Sequence, residues 1–432
     1  MSKSLADWLC RINSTHHKEI DLSLDRLQTV IQDMSLRPQC PVITVGGTNG
    51  KGSTCALLEA IYTKAGYRVG VFASPHLIRF NERIRLANVE VDDDAIISSF
   101  ERIDHARGDV SLTYFEFSFL AALDIFLGQS SDLIILEIGL GGRLDAANVL
   151  DPICAIVTNV ALDHMEYLGD TREKIGAEKA AIFRGGDGYS ICGDEDPPQS
   201  LIDAASAIGA DLQLIARDFG FIRETSSWRF WSTEGARMNL AFPHMQGDHQ
   251  LANASVAIQA ATLLKNILPI DAAAIREGLL TAARLGRFQV LPSRPLVVLD
   301  VAHNVASVTS LVGELKRAPF AGKTRVIFGV MADKQYVEMM SLLASVADQL
   351  FVCGLEGDRS ADPDVVVSRG SISLDKDKDE DKVIAWSSVD KAMDKLLEVS
   401  GSNDRIVICG SFLTVSAALN HPFVASLVHN RI

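Results

Sequence analysis

The sequence predicts an α/β protein built from two doubly wound domains. Two series of short apolar runs, separated by helix-like stretches, favour this fold class. The runs are nearly continuous in apolar character rather than alternating, which is typical of parallel strands buried on both faces. At 432 residues the chain is also too long for one comfortable hydrophobic core. Strand–helix alternation in two blocks therefore indicates two sheets, each covered by helices.

The apolar runs give the predicted strands of each domain. The N-terminal series is "VITV" at 42–45, "RVGVFAS" at 68–74, "DLIILEIG" at 132–139 and "CAIVTN" at 154–159. The C-terminal series is "PLVVLDVAH" at 295–303, "RVIFGVM" at 325–331, "QLFVCG" at 349–354 and "RIVICGS" at 405–411. Helices are predicted where apolar residues recur at three and four positions, as in "VDKAMDKLLEVS" and in "STCALLEAIYTKAG", which Gly66 is expected to close.

A break in this periodicity predicts the domain boundary. Two prolines and a glycine fall in "ARLGRFQVLPSRP" at 283–295. We therefore predict an N-terminal domain at 1–284, a linker at 285–295 and a C-terminal domain at 296–432. The charged run "DKDKDEDK" at 375–382 is expected to be a solvated loop without a function.

Composition and charge narrow the class of partners. A formal net charge of −14 argues against broad binding to nucleic acid or to anionic membranes, both of which favour a basic surface. The seven cysteines are scattered and form no C-x-x-C pair, which is typical of a reducing compartment. The N-terminal residues lack the apolar core of a signal peptide, and no apolar run has the length of a membrane span. We therefore expect a cytoplasmic protein, monomeric by default, that binds small molecules.

The stretch "TVGGTNGKGST" at 44–54 resembles a phosphate-binding loop with two displaced positions. The pattern G-x-x-x-x-G-K-[ST] would require a glycine where the chain has valine, and a hydroxyl at Gly52. The context nevertheless fits, because a buried strand precedes the stretch and a helix follows it. Glycines let backbone N–H groups form an anion-binding nest, and the helix N-terminus adds partial positive charge. We predict that Lys51 contacts phosphates and that Ser53 or Thr54 supplies a hydroxyl to Mg²⁺.

The nucleotide is predicted to be ATP. A switch GTPase would carry an N-K-x-D motif, and the dipeptide Asn-Lys is absent from the chain. A dinucleotide fingerprint fails at "GLGGRL", because Leu144 stands where the third glycine belongs. We therefore predict an N-terminal phosphate-loop ATPase domain and a smaller, Rossmann-like C-terminal domain.

Polar residues follow several predicted strands of the N-terminal domain, at the sheet edge where ligands collect in α/β proteins. Ser74, Glu137 and His164 are in such positions, and with the loop they can hold Mg²⁺. Taken singly, a salt-bridged Glu137 and a hydrogen-bonded His164 are equally good explanations. The magnesium site is therefore predicted from the combination and not from any one residue.

Further candidate residues lie beyond this group. Lys179 is on a predicted helix, and the apolar residues after it indicate that its side chain is partly buried. In the C-terminal domain, Asp300, His303 and Asn304 follow a buried strand, and Arg287 lies in the predicted linker. We expect these residues to form a second polar site, although His303 alone is also compatible with an ordinary loop histidine.

The order of several motifs resembles one known family. The motifs are "GTNGKGST", "SPHLIRFNERIR", "LTYFEFSFLAAL", "EIGLGGRLDAAN", "LDHMEYLG", "EKAAIF", "LGRFQV", "DVAHN" and "VICGSF". They occur in the order seen in the folylpolyglutamate synthase/dihydrofolate synthase family, within the Mur-ligase-like group of ATP-dependent acid–amino-acid ligases. The resemblance spans roughly residues 18–415, and a glycine after the loop lysine is itself typical of this group.

The resemblance implies a reaction and its site residues. ATP phosphorylates a carboxylate of a pterin substrate, and the amino group of L-glutamate attacks the acyl phosphate to form an amide. The implied ATP-binding residues are Thr48, Asn49, Gly50, Lys51, Gly52, Ser53, Asn253, Arg287 and Asp300. Magnesium is assigned to Ser53, Ser74, Glu137, His164 and Lys179, the lysine being carbamylated in the family. The implied catalytic residues are Lys51, His164, Lys179 and His303, and L-glutamate is assigned to His303 and Ser411.

The N-terminal segment "IDLSLDRL" at 20–27 resembles the one that forms a dihydropteroate pocket in bifunctional bacterial members. The implied pterin-binding residues are Asp21, Leu22, Ser23, Leu24, Thr113, Phe115 and Asp145. The leading hypothesis is therefore a ligase that adds glutamate to dihydropteroate and to reduced folates, with Mg²⁺ and with a monovalent cation as a second candidate cofactor. A monofunctional folylpolyglutamate synthase and a phosphate-loop nucleotide-binding module without ligase activity are the alternatives.

Two positions depart from the family pattern. Val305 follows "AHN" where proline is usual, so the start of the next helix is expected to be less rigidly set. Leu413 follows "CGSF" where a polar or aromatic residue is common. These departures concern the detail of the glutamate site and not the reaction.

Overall fold

The computed structural model describes residues 3–18, 20–318, 320–371 and 382–429. All but the last residue of the charged run at 375–382, predicted as a loop, lies outside the described residues. The chain divides into two compact units, one of Met1–His244 with Asp248–Ala283 and one of Met245–Gly247 with Arg284–Ile432. Each unit has its own sheet with helices, so the predicted α/β class is confirmed.

The main sheet of the N-terminal unit is parallel except at one edge. Its strands, numbered along the chain, are β1 (Val42–Gly46), β2 (Val69–Phe72), β3 (Ile84–Leu86), β4 (Val89–Glu90), β5 (Leu133–Glu137), β6 (Cys154–Val157), β7 (Tyr189–Cys192) and β8 (Asp211–Leu214). Their order is β4-β3-β2-β5-β1-β6-β7-β8, and only the β4-β3-β2 pairings are antiparallel. Strands β1, β5 and β6 are buried throughout, as the unbroken apolar runs predicted.

Helices and a second, smaller sheet complete this unit. The small sheet is antiparallel, with order β11-β10-β9, and consists of β9 (Phe219–Arg223), β10 (Trp228–Ser232) and β11 (Gly235–Leu240). The helices are α1 (Leu5–Asn13), α2 (Asp25–Asp33), α3 (Lys51–Lys64), α4 (Asp93–Ala106), α5 (Tyr114–Gly128), α6 (Met165–Leu168), α7 (Arg172–Ala180), α8 (Gln199–Ala207), α9 (Asp248–Leu263) and α10 (Ala272–Thr281), with 3₁₀ turns at Phe80–Arg83 and Ala146–Val149.

The C-terminal unit is doubly wound around one mostly parallel sheet. Its strands are β12 (Gln289–Leu291), β13 (Leu296–Leu299), β14 (Thr324–Phe328), β15 (Gln349–Cys353), β16 (Val383–Trp386) and β17 (Arg405–Cys409). The order is β12-β13-β17-β14-β15-β16, with β12 antiparallel to β13. The helices are α11 (Val305–Arg317), α12 (Tyr336–Ala344), α13 (Pro363–Ser371), α14 (Val389–Val399), α15 (Phe412–Asn420) and α16 (Pro422–His429).

Two details of this architecture bear on the boundary and on the position of the candidate residues. Strand β12 lies within the stretch 285–295 that was predicted as a linker. In both units the carboxyl ends of parallel strands lie together at one edge, and some of the candidate residues are found there, among them Glu137, Asp300 and Ser411. Throughout the described part of the chain, no helix combines the length and the apolar character that a membrane crossing requires.

Candidate active site

The phosphate-loop candidate joins β1 to α3. Gly50 adopts φ = 84° immediately before the helix, and α3 begins at Lys51. The loop is held against the end of β6, because the backbone N–H groups of Thr48 and Asn49 donate to the backbone and side-chain oxygens of Asn159 at 2.9 and 2.8 Å. The Lys51 ammonium folds back over the loop and donates to the Gly47 and Thr48 carbonyls at 3.2 and 3.1 Å. A compact loop with a lysine at a helix N-terminus is suited to binding phosphate.

Helix α9 closes one side of this loop. A Cβ atom added to Gly50 would lie 2.5 Å from Oδ1 of Asn253, which is the predicted nucleotide-binding residue of α9. Asn253 donates through Nδ2 to Gln250 at 3.0 Å, and Gln250 donates through Nε2 to the Ser53 hydroxyl at 3.3 Å. The structure thus brings together Gly50, Ser53 and Asn253. Gln250, which sequence reasoning missed, connects two of them from one turn earlier in the same helix.

Replacing Gly50 with alanine is expected to weaken ATP binding and to destabilise the unit by about 1–3 kcal/mol, because the new Cβ meets both a left-handed backbone and a clash with Asn253. Gly66→Ala is the matched control, since Gly66 has φ = 93° but no atom near its Cβ position. Thermal unfolding measures the loss of stability, and the KM for ATP measures the loss of ATP binding. Equal effects of both substitutions on the KM for ATP would contradict the packing of Asn253 against the loop.

Glu137 ends a strand beside the loop, whereas His164 lies beyond β6, at the start of α6. Glu137 is the last residue of β5, pairs in register with Val45 of β1, and is buried. One of its carboxylate oxygens accepts the backbone N–H of Ser74 at 3.1 Å, so the predicted Ser74 and Glu137 are adjacent. His164 has φ = 49° at the N-cap of α6, and its N–H donates to Asp163 at 2.9 Å. Ser74 and Glu137 therefore contact each other directly, whereas the position of His164 is set by a local hydrogen bond to Asp163.

Lys179 is buried beside the phosphate loop. Its side chain is 3 % exposed, and Nζ donates to the Gly47 carbonyl at 2.9 Å, the same oxygen that accepts from Lys51. Burial and, to a lesser extent, the positive charge of Lys51 lower the pKa of Lys179 to about 7, although Asp163 and Asp145 oppose the shift. A large fraction of this amine is therefore neutral and nucleophilic at physiological pH, which is the form that reacts with CO₂.

The donor set is compatible with a divalent cation that also uses substrate oxygens. Within the described residues there is no cluster of three or more His, Cys, Asp or Glu side chains arranged to bind a metal. Mg²⁺ needs no such cluster, because it keeps several waters and is bound by one or two carboxylates together with substrate phosphates. Glu137, buried at a strand end with its carboxylate oriented by Ser74, fits that requirement.

An adjacent group contains the predicted pterin residues Phe115 and Asp145. The Phe115 ring packs so closely on Gly139 that a Cβ there would lie 2.7 Å from Cζ. The Gly139, Leu140 and Ala147 N–H groups donate to the Asp145 carboxylate at 2.9–3.0 Å. Burial raises the pKa of Asp145 to about 6, even though these hydrogen bonds and Lys51 oppose the shift. Thr113 is the N-cap of α5, two residues before Phe115.

The predicted segment Asp21–Leu24 precedes α2, with Leu22 exposed. The Asp21 carboxylate is within salt-bridge distance of His16, Lys18 and Arg26. Asp21 is therefore occupied by protein side chains, whereas Leu22 presents apolar surface to solvent. The four residues of this segment are not equivalent as binding candidates.

The C-terminal unit gathers its own candidates at the ends of β13 and β17. The Asp300 carboxylate accepts the N–H groups of Phe288 and Ala302, each at 2.8 Å. Ser411 caps α15 through a bond from the Leu413 N–H at 3.0 Å, which uses only the backbone of Leu413. The Phe412 ring lies 5.7 Å from the His303 ring and 5.2 Å from the Arg287 guanidinium. Phe412 is the contact that sequence reasoning did not single out.

The helix after His303 has a defined start despite the unusual valine. Asn304 caps α11 by accepting the N–H of Ser307 at 2.9 Å, and the Ser307 hydroxyl accepts the Asn304 N–H at 3.1 Å. Val305 is the first residue of the helix. A reciprocal capping box thus performs the function that proline would serve at this position.

Comparisons with known proteins agree with this arrangement. Residues 45–261 match the model of the Mur ligase middle domain, and residues 286–412 match that of the Mur ligase glutamate ligase domain. The dihydrofolate synthase/folylpolyglutamate synthase of Escherichia coli K12 is 39% identical over 95% of this chain and 94% of its own length.

Solved structures are similar over nearly the whole chain. E. coli FolC in complex with DHPP and ADP has a TM-score of 0.90 and 37% identity, covering 100% of this chain and 99% of its own. A bifunctional folylpolyglutamate synthase/dihydrofolate synthase with Mn, AMPPNP and L-glutamate bound has a TM-score of 0.87 and 38% identity, covering 97% of this chain and 98% of its own.

A phosphate-loop ATPase unit followed by a glutamate ligase unit defines an ATP-dependent ligase of the Mur type. Within that class, the chain belongs to the dihydrofolate synthase/folylpolyglutamate synthase family. The predicted family and enzyme class, ATP-dependent ligation of glutamate to folates, are therefore confirmed.

Proposed function

We propose that this chain forms an amide between L-glutamate and two kinds of pterin acceptor, dihydropteroate and reduced folates, and converts ATP to ADP and phosphate. The observation that carries the proposal is the shared Gly47 carbonyl. It accepts from both Lys51 and Lys179, so a phosphate-binding amine and a buried amine with a lowered pKa meet at the N-terminus of α3. A nucleotide-binding module without chemistry would not require the second amine.

The first chemical step is the transfer of the γ-phosphoryl group to the acceptor's carboxylate. In our proposal, the loop from Thr48 to Ser53 binds the phosphates through its N–H groups, and Lys51 neutralises the charge that develops on them. Asn253, whose amide oxygen lies against the loop, Arg287 and Asp300 serve the nucleotide. A divalent cation would be held by Ser53, Ser74, Glu137, His164 and carbamylated Lys179, and it would stabilise charge on the transferred group.

The second step is attack of the glutamate amine on the acyl carbon, with release of phosphate. We assign the handling of glutamate and of the acyl phosphate to His303 and Ser411. Their support is the contact of the His303 ring with Phe412, which directly follows Ser411 at the start of α15. The His303 ring is oriented by a hydrogen bond between Nδ1 and the Val301 carbonyl at 2.8 Å. We therefore assign Nε2 to the contact with substrate.

Pterin binding is assigned to Asp21–Leu24 together with Thr113, Phe115 and Asp145. Phe115 offers an aromatic face, and Asp145 offers a carboxylate that can accept a hydrogen bond from a pterin ring in addition to those from the backbone. We further propose Mg²⁺ as the divalent cation, a monovalent cation as a second ion, a cytoplasmic location and a monomeric state. The choice of cations follows from the oxygen donors of the candidate site, and the location and the monomeric state follow from the composition of the chain.

The test is ADP release by the purified chain with ATP, Mg²⁺ and L-glutamate, measured with dihydropteroate and separately with tetrahydrofolate. We expect stimulation by each acceptor and none when glutamate is omitted. Stimulation by tetrahydrofolate alone would establish the monofunctional alternative. Slow ATP turnover that is indifferent to both pterins and to glutamate would overturn the proposal.

A further inference from the structure

A chain of charged groups joins the segment at Asp21 to the start of α5. One oxygen of the Asp21 carboxylate lies 3.2 Å from Nε2 of His16, and the other lies 3.3 Å from Nη1 of Arg26. The second terminal nitrogen of Arg26 donates to Glu116 at 3.0 Å. Arg26 is therefore a bridge between a carboxylate before α2 and a carboxylate in the first turn of α5.

Glu116 connects this bridge to a predicted pterin residue. Its other oxygen accepts the backbone N–H of Thr113 at 2.7 Å, and the Thr113 hydroxyl accepts the Glu116 N–H at 3.2 Å. The Glu116 side chain is only 5% exposed, so its charge depends on Arg26 for compensation. A second connection runs in parallel, because Nδ1 of His16 lies 3.0 Å from the hydroxyl of Ser111.

These contacts point to an anchoring function for Asp21. Both of its oxygens are engaged by side chains of the protein itself, which leaves the neighbouring Leu22 and Ser23 as the residues available for a ligand. Charge-assisted bonds between partly buried groups hold their partners more rigidly than neutral ones. The network thus fixes the segment at 21–24 relative to Thr113.

We propose that Arg26 and Glu116 are positioning residues that set the affinity for the dihydropteroate acceptor, an inference that rests on the proposed use of that acceptor. Dihydropteroate lacks the glutamyl chain that a folate carries, so it has fewer groups through which to bind. Its binding therefore depends more on the geometry of Asp21–Leu24 and Thr113 than the binding of a folate does. Neither Arg26 nor Glu116 needs to touch the substrate for this effect.

The experiment is steady-state ADP release by the full chain with each acceptor. Arg26→Met keeps the length of the side chain and removes both ion pairs, and we expect it to raise the KM for dihydropteroate about tenfold with kcat nearly unchanged. The KM for tetrahydrofolate and that for ATP should change by less than about twofold. Arg26→Lys, which keeps the charge, should recover part of the loss.

The matched control is Arg102→Met. Arg102 lies on α4 and makes an ion pair of 2.6 Å with Asp124, which is on α5 like Glu116 but lies towards the other end of that helix from Thr113. It should leave both acceptors unaffected. Glu116→Gln should resemble Arg26→Met, and the double variant should cost no more than the larger single effect, since both substitutions break one connection.

The outcomes separate the positioning function from the proposed reaction. Wild-type enzyme that releases no ADP with dihydropteroate would remove the proposed bifunctionality, and the positioning function with it. The positioning function alone would be overturned if the wild type is active with both acceptors and Arg26→Met either leaves both KM values unchanged or raises them equally. If Arg26→Met does not fold, the same comparison of acceptors in Arg26→Lys and Glu116→Gln decides, and equal effects on both acceptors would again overturn it.

Discussion

Lys51→Ala is expected to lower ADP release roughly 10²- to 10³-fold while the protein remains folded, because removing one preorganised donor to transition-state charge typically costs that much. In the structure the Lys51 ammonium donates to the Gly47 and Thr48 carbonyls, which places its charge over the loop. Its loss removes positive charge from the site of phosphoryl transfer and leaves the hydrophobic core of α3 intact. ADP release under saturating ATP, together with thermal unfolding, measures both parts of this prediction.

Lys64→Ala provides the control for Lys51→Ala. Lys64 ends the same helix, and its ion pair is a 3.7 Å contact with the exposed Glu277. Such exposed pairs contribute little to stability, so turnover and unfolding should both stay near wild type. Near wild-type turnover by Lys51→Ala would show that the loop lysine does not serve phosphoryl transfer.

Lys179→Ala is expected to lower turnover about 10- to 100-fold, the usual range for removing a group that supports a metal site. If the lysine acts as a carbamate, its amine combines with CO₂ to give a carboxylate and releases one proton. Removal of dissolved CO₂ should then lower the activity of the wild type, and bicarbonate should restore it. Short carboxylates such as formate should restore part of the activity of Lys179→Ala.

The pKa of Lys179 determines the pH dependence of this effect. Burial depresses the pKa to about 7, so the reactive neutral amine increases as the pH rises through that value. Activation by bicarbonate should therefore be larger at pH 8 than at pH 6. Lys174→Ala is the control, because Lys174 lies on the same helix and pairs with the exposed Asp170 at 2.9 Å. Full activity after CO₂ depletion, with retained activity in Lys179→Arg, would indicate that the unmodified cation is the functional form.

The strands that could be predicted from the sequence are those buried on both faces of a sheet. Each of the eight predicted runs overlaps an observed strand, from β1 at Val42–Gly46 to β17 at Arg405–Cys409, because strands buried on both faces require continuous apolar residues. The small sheet was not predicted. In β10, buried Trp228 and Phe230 alternate with half-buried Arg229, a pattern of one-sided burial that a search for unbroken apolar runs passes over.

The candidate site likewise contains residues that could be identified from the sequence and residues that could not. Lys51 and Glu137 could be identified because a motif or a strand end marks them, and the structure places them beside the loop. Gln250 and Arg26 could not, since their contacts with Ser53 and Glu116 cross 197 and 90 positions of the chain. Such pairings depend on how helices pack, and no local pattern encodes them. Lys179 was expected to be partly buried, and it is almost completely so.

The tight packing of Phe115 on Gly139 explains why "GLGGRL" mimics a dinucleotide fingerprint. Gly139 is small because an aromatic ring occupies the space where a side chain would be, and not because a pyrophosphate approaches its backbone. A side chain at this position would collide with the Phe115 ring and would approach the Asp145 carboxylate, which accepts the Gly139 N–H. Position 139 is therefore expected to tolerate only glycine, because the aromatic ring beside it leaves no space for a side chain. A glycine-rich sequence of this kind can indicate tight packing and is not by itself evidence of a bound cofactor.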